Sequence, residues 1–254
     1  MRYSKERGFT LVEIAIVLVV IGLLLGGILK GQQLINSARV RNLADQNSGV
    51  QAAYYGFIDR FRNLPGDMRC DSARTAVGQA VSADCTSAEV GGNGNGRIET
   101  VKEAGAVWAH LSVAGFLTGT YSGITADASA YRVGVSTGAV PGNAFQGPIL
   151  LAHTNDYIVT DGKRASVVRL AYSFGGNIPV PILRDLDTKL DDGRAGTGVL
   201  VSAAESTDST GKGEFADVTD YTKGSSDDCL VDVSGTKEWY VDSNNQTCNA
   251  IFMY

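Results

Sequence analysis

Glu13 is the residue most out of place in this sequence. It lies inside Phe9–Leu29, FTLVEIAIVLVVIGLLLGGIL, where only Thr10 and Glu13 are polar. An acidic side chain within a membrane helix costs about 2.5–3.5 kcal/mol or more, so it is held near the interface or paired with a cation. Its chemistry is ion pairing. A second group is Gly91-Gly92-Asn93-Gly94-Asn95-Gly96-Arg97-Ile98-Glu99. Asn93 and Asn95 take the third and fifth places of an EF-hand loop and Gly96 the sixth, but the first place is Gly91 and the twelfth Lys102. A looser calcium site, using Asn93, Asn95 and a carboxylate such as Glu99 or Asp84, is the functional alternative to a plain Gly/Asn turn. Asp185, Asp187, Asp191 and Asp192 form a third group. They make either a solvated helix end or a contact for a second cation or a partner.

Catalytic patterns are lacking. His110 and His153 are the only histidines. No nucleophile elbow, P-loop, Rossmann glycine pattern or zinc motif occurs, so no enzyme activity is expected. His110, beside Trp108, reads as a satisfied or exposed histidine and Trp108 as core. The four cysteines fall into two sequence-local pairs, Cys70/Cys85 and Cys229/Cys248. Three connectivities are open to them. Local pairing is favoured because each pair closes a short, turn-rich loop, and an oxidising compartment would preserve both bonds.

The elements that carry these residues follow from periodicity. A helix over 9–29 spans roughly 30 Å, the thickness of a bilayer core. Arg2, Lys5 and Arg7 precede it, and positive flanks stay cytoplasmic. The apolar run is too long for a cleaved secretory signal and has no Ala-x-Ala-like site behind it. The helical pattern continues without proline to Arg62. There, Val50, Ala53, Tyr54, Phe57, Ile58 and Phe61 make one apolar face, and Leu64-Pro65-Gly66-Asp67 stops it. A long loop is expected over 66–100. A helix over about 100–115 opens on a Thr100/Glu103 capping box. Strands are expected at 131–135, 148–153, 156–160, 165–174, 197–203, 229–233 and 238–242 and at the AIFMY end, with a short helix over 181–190.

The run Gly8-Phe9-Thr10-Leu11-Val12-Glu13 followed by an apolar helix resembles the type IV prepilin signature, shared by pilins and the pseudopilins of type II secretion. The resemblance covers about a quarter of the chain. It implies that a prepilin peptidase cuts after Gly8 and methylates the new amino terminus, Phe9. It also implies that Glu13 pairs with a Phe9 amine, its own or a neighbour's, during filament assembly. Lys30 stands where many pilins carry a proline. Cys229–Cys248 resembles the disulfide-bounded loop of many pilins, and type II major pseudopilins carry calcium in a loop.

The expected fold is α+β and pilin-like, a lollipop with a long N-terminal helix packed on an antiparallel sheet. The expected segments are a leader (1–8), a membrane and filament-core span (9–29), a periplasmic half-helix (30–64) and a globular head (65–254). The partners implied are the peptidase, other pilin-like subunits in a homo- or hetero-filament, and an inner-membrane assembly platform. The subunit would be single-pass in a bacterial inner membrane with a cytoplasmic N terminus, then part of a periplasmic or extracellular filament. With 254 residues the exterior part is large for a major pilin, which leans toward a minor pilin or pseudopilin. The net charge is −5; the leader carries three bases and one acid (net +2), so the mature chain would carry −7. That balance does not favour nucleic acid. A non-polymerising, inner-membrane-anchored binding or adhesion domain is the alternative, but it leaves Gly8-Phe9 and Glu13 without a role.

Overall fold

A computed structural model describes residues 10–78, 91–122, 138–204, 228–243 and 245–254. Predicted strand 131–135 lies outside these residues. The chain divides into two units, Met1–Arg39 and Val40–Tyr254.

Helix α1 runs from Leu11 to Phe61. In the first unit its large apolar side chains are exposed: Leu11, Leu18, Leu23 and Leu29 each keep 63% or more of their surface. A helix this bare in water is unstable in a globular setting and suits a bilayer or a bundle of like helices. In the second unit the same helix turns amphipathic. Val40, Leu43, Ala44, Val50, Ala53, Tyr54 and Phe57 are buried, at the three- and four-residue spacing that keeps one face on a core. The expected stripe began at Val50; the buried face starts ten residues earlier. Arg62 ends the helix in a left-handed conformation (φ 55°), and its N–H bonds the Ile58 carbonyl at 2.8 Å. Gly66 follows at φ 89°, where a Cβ would meet the Glu103 carbonyl and Val107 Cγ2 at 2.5 and 2.7 Å. Only glycine lets the turn lie this close to the next helix.

The loop expected over 66–100 contains a short helix, α2 (Cys70–Ala76), which buries Cys70 and Ala73. Seven residues are too few for periodicity to reveal. Helix α3 (Val101–Val113) opens on the predicted capping box, with both Thr100–Glu103 bonds present. Trp108 and Leu111 are fully buried in it.

Four strands form one antiparallel sheet: β1 (Leu150–Thr154), β2 (Arg169–Ser173), β3 (Leu200–Ser202) and a strand at Ala250–Met253. Helix α4 (Val180–Leu190) intervenes between β2 and β3 and carries Pro181 in its first turn. A hairpin of β4 (Leu230–Val233) and β5 (Thr236–Trp239) precedes the last strand, β6. The sheet order is β1-β2-β6-β3, so the C-terminal strand lies inside the sheet. Residues 156–160 were expected as a strand. They make only isolated bridges, Tyr157 to Ala203 and Ile158 to Arg164. Their job is to cover the β3 edge, with the Ile158 N–H on the Ser202 carbonyl at 3.1 Å. At the other edge the His153 N–H bonds the Ile98 carbonyl at 2.7 Å. Covered edges do not recruit further strands. The β4–β5 turn uses Ser234 and Gly235 at φ 55° and 84°, the pairing suited to a two-residue hairpin.

The second half of α1, α3, α4 and the sheet share one apolar core. The Tyr254 hydroxyl donates to Asn47 Oδ1 on α1 at 2.8 Å, and its ring stacks on Tyr172 at 6.2 Å. The head is therefore α+β, with the sheet fastened to the helix. The Cys229–Cys248 disulfide closes the loop that carries the hairpin, with Cα atoms 6.0 Å apart. Cys70 is also disulfide-bonded; its expected partner Cys85 lies outside the described residues. Asp156 and Arg164 form a buried ion pair at 3.4 Å, and the Thr154 hydroxyl donates to the same carboxylate at 2.8 Å.

Candidate functional site

The helix start is the first candidate. The Thr10 N–H and hydroxyl donate to Glu13 Oε2 at 2.7 and 2.9 Å, and the Glu13 N–H returns a bond to Thr10 Oγ1 at 3.2 Å. This is a capping box: the Glu13 carboxylate takes the amide of the N-cap Thr10, and Thr10 takes the Glu13 amide in the first turn of α1. Both side-chain bonds fall on Oε2. Sequence reasoning missed Thr10, although Thr-x-x-Glu is the pattern that located α3. Gly8 and Phe9 lie outside the described residues.

The Gly/Asn loop is the second. Asp67, buried in the turn after α1, takes three amide donors from it: Gly94 and Asn95 on Oδ1 at 2.8 and 3.1 Å, and Gly96 on Oδ2 at 2.7 Å. Glu103 takes Asn93 on Oε1 at 3.2 Å, and Glu99 and Thr100 on Oε2 at 2.9 and 3.1 Å. The Asn93 and Asn95 side-chain oxygens accept the amides of Asn95 and Arg97, both at 2.9 Å. The Asn95 amide donates to Glu99 Oε1 at 2.6 Å. The loop thus turns its N–H groups inward onto carboxylates, the polarity of an anion nest and the reverse of a calcium cage. Asp84, the other carboxylate considered for calcium, lies outside the described residues. A Cβ at Gly92 would run into the Asp67 backbone, so the close approach requires glycine there. Sequence reasoning missed Asp67. Its only signal was a position within a Pro-Gly-Asp turn.

The acidic group is the third. Asp185 is exposed. Oxygens of Asp187, Asp191 and Asp192 lie within 4.8 Å of one another, yet each carboxylate has local donors. Asp187, fully buried, accepts Trp239 Nε1–H at 2.7 Å and the Gly193 N–H at 3.2 Å. Asp191 caps the start of β3 through the Val199 and Leu200 amides. Asp192 takes the Arg194 amide at 2.9 Å and the Thr197 hydroxyl. Burial, with the charges of Asp192 and Asp191, pushes the Asp187 carboxyl up to about 7 against its two hydrogen bonds. The folded state therefore holds a proton that the unfolded chain releases near 3.8. The stabilisation is full below that value and is lost as pH rises through 7. Asp187→Asn keeps an acceptor for Trp239 and abolishes this dependence. Its unfolding free energy is expected to match wild type near pH 4 and exceed it by up to about 4 kcal/mol above pH 7. Denaturant melts across that range check it; a constant difference at every pH would contradict it.

The comparisons with known proteins bear on the first candidate. The family model for the prokaryotic N-terminal methylation motif matches residues 3–29. Those residues carry the prepilin-type cleavage and methylation signature of type IV pilins and pseudopilins. No curated protein and no solved structure matches the chain.

Proposed function

We propose that the protein is a structural subunit of a type IV pilus or a type II secretion pseudopilus. The motif at residues 3–29 supports a pilin-like processed subunit; the finer reading rests on how that motif sits in the chain. It opens a helix whose first part is apolar on every side and exposed, while the rest of the same helix is sealed into an α+β head. Residues 1–8 are the leader, 9–29 the membrane and filament-core span, 30–64 the second half of the helix and 65–254 the head. Prepilin peptidase cleaves after Gly8 and methylates Phe9. The subunit waits in the inner membrane with its head outside the cytoplasm. It then leaves the bilayer when its span packs against like spans, and Glu13 meets the amine of a Phe9. Size favours a minor pilin or a pseudopilin. The work is mechanical and recognition-based, with no catalytic step.

The test is the mass of the N-terminal peptide from the native host. A peptide beginning at Phe9 with one extra methyl group is expected. An intact Met1 start, in a host with active prepilin peptidase, would overturn the reading.

A further inference from the structure

Both histidines of this chain hold a backbone amide through Nδ1. His110, fully buried on α3, accepts the Gly66 N–H at 2.9 Å. Its ring stacks on Phe57 of α1 at 6.1 Å and 13°. His153, half-buried on β1, accepts the Ile98 N–H at 2.9 Å. An imidazole that accepts at Nδ1 carries its proton on Nε2. A second proton would go to Nδ1 and replace the acceptor with a donor aimed at an N–H. Neither bond survives that change.

The two amides bracket the carboxylate nest. Gly66 immediately precedes Asp67, which takes the amides of Gly94, Asn95 and Gly96. Ile98 lies between those amides and the Glu99 and Thr100 amides held by Glu103. The Asp67 carbonyl also takes the Gly94 N–H, and the Met68 carbonyl the Gly92 N–H, both at 2.9 Å. The turn after α1 and loop 92–100 are thus fixed largely to acceptors that must be unprotonated. The four-stranded sheet is held instead by backbone pairing, which does not titrate.

We propose that this region is an acid-sensitive clasp: protonation of His110 and His153 at Nδ1 releases the Gly66 and Ile98 amides, and the 64–67 turn and loop 92–100 open while the sheet stays folded. The electrostatic surroundings act in the same direction. Around His110, Phe57 comes from α1 and the Gly66 backbone from the turn, with burial alone lowering its basicity to about 4. Among the described residues, its Nε2 has no partner to support a cation. Arg97 of the loop faces His153 and, after burial, lowers its basicity further; Asp67 of the turn, Glu99 of the loop and the Ile98 backbone oppose this without reversing it. The folded state therefore resists the protons that the unfolded segment takes up near 6.5. Stability held above that value is lost as pH falls toward 4. The device acts at the C-terminal end of α1, where the chain turns into the rest of the head.

Amide hydrogen exchange on the full chain in detergent, corrected for the pH dependence of intrinsic exchange, tests this. Between pH 7.5 and pH 5 the protection of the Gly66 amide is expected to fall about 30-fold, from the separation of the two His110 basicities. The Ile98, Gly94 and Gly96 amides should lose protection in the same range while those of β2 and β6 keep theirs. Asn offers an oxygen where Nδ1 sits and does not titrate, so His110→Asn should remove the fall at Gly66 and His153→Asn the fall at Ile98. His110→Asn leaves a gap in the core; if it does not fold, the half-buried His153→Asn carries the test. Unchanged loop protection down to pH 5 would overturn the clasp. So would loss of the β2 and β6 amides together with the loop, or a His153→Asn chain that still loses Ile98.

Discussion

A Glu13→Gln subunit is expected to insert into the membrane, start its helix normally and be depleted from filaments by about a hundredfold. Gln serves the N3 place of a capping box as Glu does, so the Thr10 amide bonded at 2.7 Å keeps its acceptor. What Gln removes is the charge. In a filament core built from apolar spans, the amine of Phe9 would then be buried without a counter-ion, at a cost of about 3–5 kcal/mol. At about 1.4 kcal/mol per factor of ten, that corresponds to a hundredfold or more. Glu13→Ala loses both functions. It should assemble no better than Gln and should also fray the helix start by about 1 kcal/mol. Immunoblots of membrane and sheared-filament fractions separate these effects. If Gln assembles like wild type and Ala does not, Glu13 acts in assembly only as a helix cap, and the ion-pairing role falls.

Asp67→Ala is expected to cost about 1–3 kcal/mol and to loosen loop 92–100 while the head stays folded. It strands the Gly96 amide, whereas the Gly94 amide keeps the Asp67 carbonyl and the Asn95 amide keeps Asn93 Oδ1, and an orphaned donor costs about 1–3 kcal/mol. Domain stabilities are larger, about 5–15 kcal/mol. Asp67→Asn keeps one oxygen but sets an NH2 against an N–H, so it should fall between the two. Millimolar calcium is expected to leave the melting temperature of the wild type unchanged, because the loop faces inward with N–H donors. A calcium-dependent rise that disappears in Asn93, Asn95 or Glu99 variants would instead make the loop a cation site. Circular dichroism melts, with calcium and with a chelator, give both answers.

What could be read in advance shares one property: its cause is local. The apolar span, the carboxylate Glu13 and the basic residues Arg2, Lys5 and Arg7 lie within about thirty consecutive residues, and the family match to residues 3–29 rests on the same stretch. The α3 capping box is a four-residue pattern. The strands β1, β2, β3, β4 and β6 announced themselves through short apolar runs with turns between them. Residues 156–160 misled because a run of strand-forming residues can lie along a sheet edge without joining a ladder. Helix α2 was too short to show a period.

Tertiary structure alone decided what the polar residues do. Asp67 meets its loop across 27 to 29 positions, His110 meets Gly66 across 44, Trp239 meets Asp187 across 52 and His153 meets Ile98 across 55. A hydrogen bond is made or lost over a few tenths of an ångström, whereas apolar burial tolerates any partner of about the right size. An apolar pattern therefore shows which face is buried, but a lone Asp or His shows no partner until the chain has closed around it. Placing β6 between β2 and β3 is a decision of the same kind: the order of strands depends on which core closes best, and no residue in AIFM records it.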